Sequence, residues 1–335
     1  MSQRKIVFSG IQPSGDLHLG NYLGAISRWV AHQDTYDSVI CVVDLHAITV
    51  PQDPETLRTQ TRELFCMLMA CGIDPNRTLL FVQSHVTAHA ELAWILNCVT
   101  PLGWLERMIQ FKDKSSKQES VLTGLLDYPV LQAADILLYQ AHLVPVGEDQ
   151  RQHIELTRDI AGRFNHLYGE TFTLPEPFIA ETGARIMSLD DPTAKMSKST
   201  DRRYHAISLL DEPDAIMATV KRAVTDSGRE IVFSDDPEKA GVQNLLTIYQ
   251  LMSGQTPAEA ENHFSTARGY GDLKREVAEV VIEKLKPIRN RYDELINDRA
   301  ELDRLIQAGT ETAMERSAPT LEAAKTNIGF LATLG

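Results

Sequence analysis

The sequence predicts an α/β fold: a doubly wound parallel sheet, then a largely helical C-terminal part. Three observations carry this. Short apolar runs recur at 4–9, 39–43, 78–83 and 144–146, with helical patterns between them. The run Val39-Ile40-Cys41-Val42-Val43 is apolar throughout, as in a strand buried on both faces of a parallel sheet. From about residue 205 helical patterns take over.

The bulk numbers fit that class. The chain has 335 residues, 43% hydrophobic and 24% charged, which is ample for one large domain and a smaller one. The change of texture places the boundary at 1–204 and 205–335. The net charge of −13 is spread evenly, so a nucleic acid would meet local patches and not a basic coat; a DNA partner is not expected. No apolar run approaches the roughly 20 residues of a membrane span, and Met1-Ser2-Gln3-Arg4-Lys5 leads straight into a strand pattern. A soluble, cytoplasmic protein without a membrane partner is therefore expected. Cys41, Cys66, Cys71 and Cys98 form no C-x-x-C pair and read as buried free thiols. The ten histidines show no metal-ligand spacing, so no metal site is expected.

Residues 4–9 read as a buried strand, followed by the turn-rich Ser9-Gly10-Ile11-Gln12-Pro13-Ser14-Gly15. A helix begins at Leu17 and runs to about Ala31. Strand, Gly-rich loop and helix together aim backbone N–H groups and a helix N-terminus at an anion. Gly20 and Gly24 leave one helix face without side chains, so a neighbouring backbone or a flat ligand packs there. His18 and Asn21, three apart, can face the same ligand, and His18 can donate to a phosphate. Alone, the loop is weak evidence, because Gly-rich turns before helices are common.

Asp44-Leu45-His46 closes the second strand at the end where open α/β sheets bind ligands. Asp53-Pro54-Glu55 caps a helix over 54–71 that stops at Gly72. Residues 87–127 interrupt the alternation as a helical insertion. There Trp94, Ile95, Trp104 and Met108 outline an apolar face, for a dimer or for a satellite of the core. Lys112, Lys114 and Lys117 lie in a small basic loop able to face a phosphate.

The segment 127–139 describes a buried helix with Pro129 at its start. Asp135 lies inside it with no cation at i±3 or i±4. A buried carboxylate without a partner is costly, so Asp135 either caps internal polar groups or awaits a donor on a ligand. Gly147-Glu148-Asp149-Gln150 follows the strand at 144–146, where acidic and amide groups commonly bind ribose hydroxyls and amino groups. An irregular stretch, 169–184, leads to Ala194-Lys195-Met196-Ser197-Lys198-Ser199. Arg185, Lys195, Lys198, Arg202 and Arg203 place five cations within nineteen residues of an acidic chain, and phosphate is the usual counter-anion. Beyond lie helices at 211–222, 242–252, 257–267, 274–297 with a kink at Pro287, 299–316 and 319–330; Lys284, Lys286, Arg289 and Arg291 form a basic stripe.

Two of these segments form a specific pair. Pro13-Ser14-Gly15-x-x-His18-Leu19-Gly20-Asn21 and Lys195-Met196-Ser197-Lys198-Ser199 resemble the HIGH and KMSKS signatures of class I aminoacyl-tRNA synthetases. The second matches without alteration. The first ends in Asn21 instead of His, as in the tryptophan and tyrosine branch. Residues 10–15, 44–49, 133–139, 145–150 and 183–189 are similar to the bacterial tryptophan branch in particular, and the likeness runs over the whole chain.

The resemblance implies a Rossmann-like catalytic domain, a helical tRNA-recognition domain and a homodimer. It implies that L-tryptophan and ATP, with Mg2+ bound to the nucleotide, give an adenylate that passes to the terminal ribose of tRNA(Trp). Gln12, Pro13, Ser14, Gly20 and Asn21 would line the ATP site, with His18 near the phosphates. Gly147, Glu148 and Asp149 would take the ribose, and Ile186 would lie by adenine. Lys195, Met196, Ser197, Lys198 and Ser199, with Lys114, would close over the triphosphate. Asp135 would accept the indole N–H, Tyr128 and Gln150 would hold the amino-acid head, and Phe8 and His46 would be pocket walls. Gln132 departs from the family, which commonly has Met there. Three rivals remain: a tyrosine enzyme of the same class, a nucleotidyltransferase of the wider fold, and a synthetase-like binding protein without catalysis. The Ala133–Tyr139 pattern and the Gly10–Gly15 start argue against the first, the KMSKS form and the helical tail against the second, and intact Lys195, Lys198, His18 and Asp135 against the third.

Overall fold

Strand β1 (Ile6–Ile11) is the centre of a five-stranded sheet in a computed structural model that describes residues 4–115, 120–147, 150–178, 185–197 and 202–332. The strand order is β3-β2-β1-β4-β5, all parallel, with β2 at Asp37–Val42, β3 at Thr78–Val82, β4 at Leu143–Pro145 and β5 at Glu176–Phe178. The chain winds outward from β1 through β2 to β3, then returns to the other side of β1. The order therefore reverses between β1 and β4, and a crevice opens beyond their carboxyl ends. The irregular stretch expected at 169–184 contains an edge strand, β5. At three residues, including Pro177, it is too short for an alternation to register.

The helices follow in order: α1 (Leu19–Asn21), α2 (Ser27–Ala31), α3 (Asp44–Ala47), α4 (Pro54–Ala70), α5 (Ala88–Asn97), α6 (Leu102–Glu106), α7 (Ile109–Ser115), α8 (Thr123–Leu138), α9 (Arg151–Tyr168), α10 (Pro213–Arg222), α11 (Ala240–Ser253), α12 (Pro257–His263), α13 (Tyr270–Asn297) and α14 (Arg299–Ile328). Period-2 alternation in the strands feeds two cores. Ile40, Val42, Leu80 and Val82 face α4, α11 and α13. Phe8, Val39, Cys41, Leu79 and Phe81 face α5, α8 and α9. This is why β2 and β3 carry no polar alternation.

Several boundaries differ from expectation for physical reasons. The helix expected over 17–31 contains a π-helical segment, Tyr22–Ile26, between α1 and α2. Pro129 sits inside α8, which starts earlier at Thr123. The two last helices are one: α14 runs through Pro319, held on either side of it by the buried Ala313, Leu321 and Ala324. Of the basic loop expected at 112–117, residues 112–115 are the end of helix α7, and Ser116 and Lys117 lie outside the described residues. In the insertion, Ile95 and Met108 belong to the core, while Trp94 is 70% exposed. Cys41, Cys66 and Cys71 are buried but Cys98 is exposed. Desolvation pushes the thiols of Cys66 and Cys71 up to about 12, so they stay neutral.

The C-terminal helices do not stand apart. Leu273, Val277 and Val281 of α13 share a core with Leu64 and Leu68 of α4. Helix α14 covers edge strand β3, and Arg316 grips Asp37 with two hydrogen bonds of 3.0 and 2.9 Å.

Candidate active site at the carboxyl ends of the strands

Asp135 is 1% exposed and has three donors around it. His46 Nε2 lies 2.7 Å from Oδ2; Gln83 Nε2 and His89 Nδ1 each lie 2.6 Å from Oδ1. His46 comes from α3 just beyond β2, Gln83 from the turn just beyond β3, and His89 from α5. Burial alone would raise the Asp135 carboxyl, but the hydrogen bonds and charges of His46 and His89 outweigh it and hold the group below its ordinary value. An ionised carboxylate only accepts, so each histidine presents an N–H toward it. On its other side, His89 Nε2 is hydrogen-bonded with the Tyr139 hydroxyl at 3.0 Å. Gln83 is oriented from behind, because its Oε1 accepts the Leu45 N–H at 3.1 Å.

The sequence left two readings of Asp135 open, and the structure shows that it does cap internal polar groups. Its partners come from other elements, which helical spacing within α8 cannot reveal. Three of about four acceptor positions are used, which leaves one.

Tyr128, on the same helix, lies edge-on to His46 with ring centroids 6.3 Å apart. Its hydroxyl meets Gln110 Oε1 at 3.2 Å and His153 Nε2 at 2.9 Å. Desolvation pushes this phenol up to about 12. Phe8 stacks on Tyr139 at 5.9 Å, behind the His89 link. Asp135, His46, Tyr128 and Phe8 thus belong to one cluster. Gln150 caps α9 one turn before His153, its N–H bonded to Gly147 O at 2.9 Å. Gln132 is half-buried one turn before Asp135. Sequence reading missed Gln83, His89, Gln110 and His153. The usable signal was a buried polar residue interrupting an apolar stretch, as at Gln83 directly after β3.

The second half of the site begins at β1. Pro13 is buried, while Gln12 and Ser14 are exposed on the loop. His18 and Asn21 turn toward each other: the Asn21 N–H donates to His18 Nδ1 at 3.3 Å, and the His18 N–H donates to Asn21 Oδ1 at 3.1 Å. That cap leaves the His18 proton on Nε2, the form able to donate to an anion. A Cβ on Gly20 would meet His18 Nδ1 at 3.0 Å and Met196 Cβ at 3.4 Å. The bare helix face therefore seats the lysine segment.

That segment is half of a small antiparallel ladder. Met187 pairs with Lys195; Ser188 N donates to Ala194 O at 2.8 Å and Met196 N to Ile186 O at 3.1 Å. Ile186 and Met196 are both 2% exposed, and Lys195 is exposed. Arg202 is attended by Asp190 and Asp191, at 3.4 and 3.8 Å, so this cation has acidic company within the loop. Glu148, Asp149, Lys198, Ser199 and the Lys114 side chain lie outside the described residues.

This arrangement, a reversed parallel sheet with a capped histidine turn and a lysine ladder at its crevice, has close relatives. The family model for class I tRNA synthetases (W and Y) matches residues 1–286. The chain belongs to that family. Within it, the tryptophan–tRNA ligase of Caldanaerobacter subterraneus subsp. tengcongensis is 54% identical over 327 residues, covering 98% of this chain and 99% of that protein. The tryptophanyl-tRNA synthetase of Mycoplasma pneumoniae superposes with a TM-score of 0.88 at 35% identity, covering 98% of this chain and 99% of that one. The Campylobacter jejuni synthetase complexed with ADP and tryptophan gives 0.84 at 34% identity, over 97% and 100%.

Proposed function

We propose that this chain activates L-tryptophan with ATP and transfers it to the terminal ribose of tRNA(Trp), a tryptophan–tRNA ligase activity. The observation that carries the reading is Asp135: a buried, ionised carboxylate with three partners and one acceptor position left over. Indole offers one N–H and no acceptor, which suits it. Phenylalanine would leave that position unfilled, at a cost of roughly 1–3 kcal/mol. The cluster is lined by His46, Tyr128 and Phe8, and Gln150 at the start of α9 is proposed to hold the amino-acid head with Tyr128.

The tryptophan carboxylate attacks the α-phosphate, pyrophosphate leaves, and the ribose hydroxyl then displaces AMP. No covalent enzyme intermediate is needed, so the protein's contribution is position and charge. His18 Nε2–H and the Lys195 and Lys198 ammonium groups, with Lys114, stabilise charge on the phosphates. Gln12, Pro13, Ser14, Gly20 and Asn21 line the nucleotide site, and Ser197, Ser199 and Met196 close it. Ile186 packs by adenine; Gly147, Glu148 and Asp149 hold the ribose. Mg2+ would enter with ATP, as part of the substrate, and would neutralise charge on the phosphates.

The segment 205–335 is assigned to tRNA recognition and 1–204 to catalysis. Exposed Trp94, Leu102, Ile109, Val121 and Leu122 on and around the insertion support a homodimer. A cytoplasmic location follows from the reaction; no described helix is long and apolar enough to cross a membrane.

The test is amino-acid-dependent exchange of pyrophosphate into ATP, run with each of the twenty amino acids and without tRNA. Exchange with tryptophan alone is expected. Exchange with tyrosine instead would overturn the role of Asp135, and no exchange from ATP-binding protein would leave the non-catalytic reading.

A further inference from the structure

The Ile186–Ser188 strand of the lysine ladder has a second side. Ile186 O and Ser188 N point into the ladder, so the N–H and C=O of Met187 point away from it. Both are taken by one side chain. Asn244 Oδ1 accepts the Met187 N–H at 2.9 Å, and Asn244 Nδ2 donates to Met187 O at 3.0 Å. The amide does what a third strand would do. Asn244 is 5% exposed and belongs to α11, a helix of the C-terminal half.

That helix is firmly seated. A Cβ on Gly241 would lie 2.1 Å from Val224 O, so α11 presses directly on the backbone there. Val224 N in turn donates to Leu189 O at 2.8 Å, one residue beyond the strand. The ladder residue opposite Met187 is Lys195 itself. Its neighbour Met196 fills the space over Gly20 beside His18. A continuous path of hydrogen bonds and packing thus runs from α11 through Asn244, Met187 and Lys195 to the turn that carries His18.

We propose that Asn244 is a positioning residue for adenylate formation: its paired hydrogen bonds to Met187 fix the ladder, and so the place of Lys195 relative to His18. This rests on the function proposed above. The reason for a bidentate amide at this point is precision. A ladder of two hydrogen bonds can twist and slide, whereas a partner on its outer side holds the middle residue in plane. A cavity of about 270 Å³ beside Asn244 and Met187, lined also by Arg185, Asp235 and Gln243, lets water replace the amide. Removing it should therefore cost placement more than folding.

Two measurements on Asn244→Ala and Asn244→Asp test this. The first is hydrogen exchange of backbone amides in the intact protein. Met187, Ser188 and Met196 should exchange about tenfold faster in Asn244→Ala, with the amides of α11 and β1 to β3 unchanged. Equal protection in variant and parent would overturn the proposal. The second is a double-mutant cycle in tryptophan-dependent pyrophosphate exchange. Asn244→Ala should lower kcat about tenfold or more and leave the KM for tryptophan within about twofold. Asn244→Asp, which sets a carboxylate oxygen against Met187 O, should not rescue it. In a Lys195→Ala background Asn244→Ala should cost little more, because the group it places is gone. An undiminished loss there would assign Asn244 to general stability. If the parent shows no exchange with any amino acid, the functional reading falls, and amide exchange still decides whether Asn244 holds the ladder.

Discussion

His46 Nε2 stands 2.7 Å from Oδ2 of Asp135, and the pair is shut away from solvent on both sides. With His89 and Gln83 also donating, removal of the carboxylate would strand three buried donors. Asp135→Ala should therefore destabilise the fold by about 3–5 kcal/mol, as for a broken buried pair. Loss of tryptophan use in that variant would not separate pocket from fold. Asp135→Asn keeps the shape and two acceptor lone pairs, and is the informative change. It should retain a cooperative unfolding transition while the KM for tryptophan rises about tenfold or more and rejection of phenylalanine weakens. Pyrophosphate exchange with both amino acids, alongside urea unfolding, checks this. Unaltered discrimination would remove the indole contact from Asp135.

The same carboxylate gives the protein an acid limit. Its folded value lies below the ordinary 3.8, because His46 and His89 overcome the effect of burial. A depressed carboxylate contributes stability that is fully present above its unfolded value and is lost as the pH falls through its folded one. The difference in unfolding free energy between parent and Asp135→Asn should be constant from pH 7 to about pH 5 and should shrink below about pH 4. Denaturant unfolding at several pH values measures it. A difference that grew on acidification would reverse the sign and refute the ionised assignment.

How much of this was legible beforehand depended on range. The strands at 39–43 and 78–83 announced themselves because both faces are buried, and Asp53 announced α4 because its side chain caps Thr56 N–H at 2.8 Å. These are local signals. Asp135 was conspicuous as a polar residue in an apolar helix, yet its partners sit 46 to 89 residues away and no spacing rule reaches them. The Asn244 contact, 57 residues from Met187, was invisible for the same reason. Strand β5 and the continuity of α14 through Pro319 were missed because tertiary packing, not local preference, decides them.

Gly20 links the two signature segments by what it lacks. An added methyl would press on the His18 ring at 3.0 Å and on Met196 Cβ at 3.4 Å. The ring can give way only by loosening the bond that Asn21 N–H donates to it. Gly20→Ala should thus cost about 1–2 kcal/mol of stability, combining a weakened cap with mild overpacking. The rate of adenylate formation should fall about tenfold or more, since His18 and the lysine segment both move. Pre-steady-state adenylate formation is the measurement, and a normal rate would show that the contact has no bearing on catalysis.

Two glycines in helices should respond to alanine with opposite signs. Gly309 lies within α14, and a Cβ there would stand 2.0 Å from the carbonyl oxygen of Leu80 in β3. That neighbour is strand backbone, which cannot move aside without breaking its pairing with β2. Gly309→Ala should lift α14 off the sheet edge, with a loss of about 3 kcal/mol or more and a fall in Tm of about 5 °C. Gly162 lies within α9, where an added Cβ meets nothing within 4 Å. Gly162→Ala removes only the backbone freedom of glycine in the unfolded chain and should stabilise by about 0.5–1 kcal/mol. Thermal melts of the two variants against the parent check both signs together. A neutral Gly309→Ala would mean that α14 does not sit against β3 in solution, and a destabilising Gly162→Ala would mean that its helix face is covered, as by a second copy of the chain.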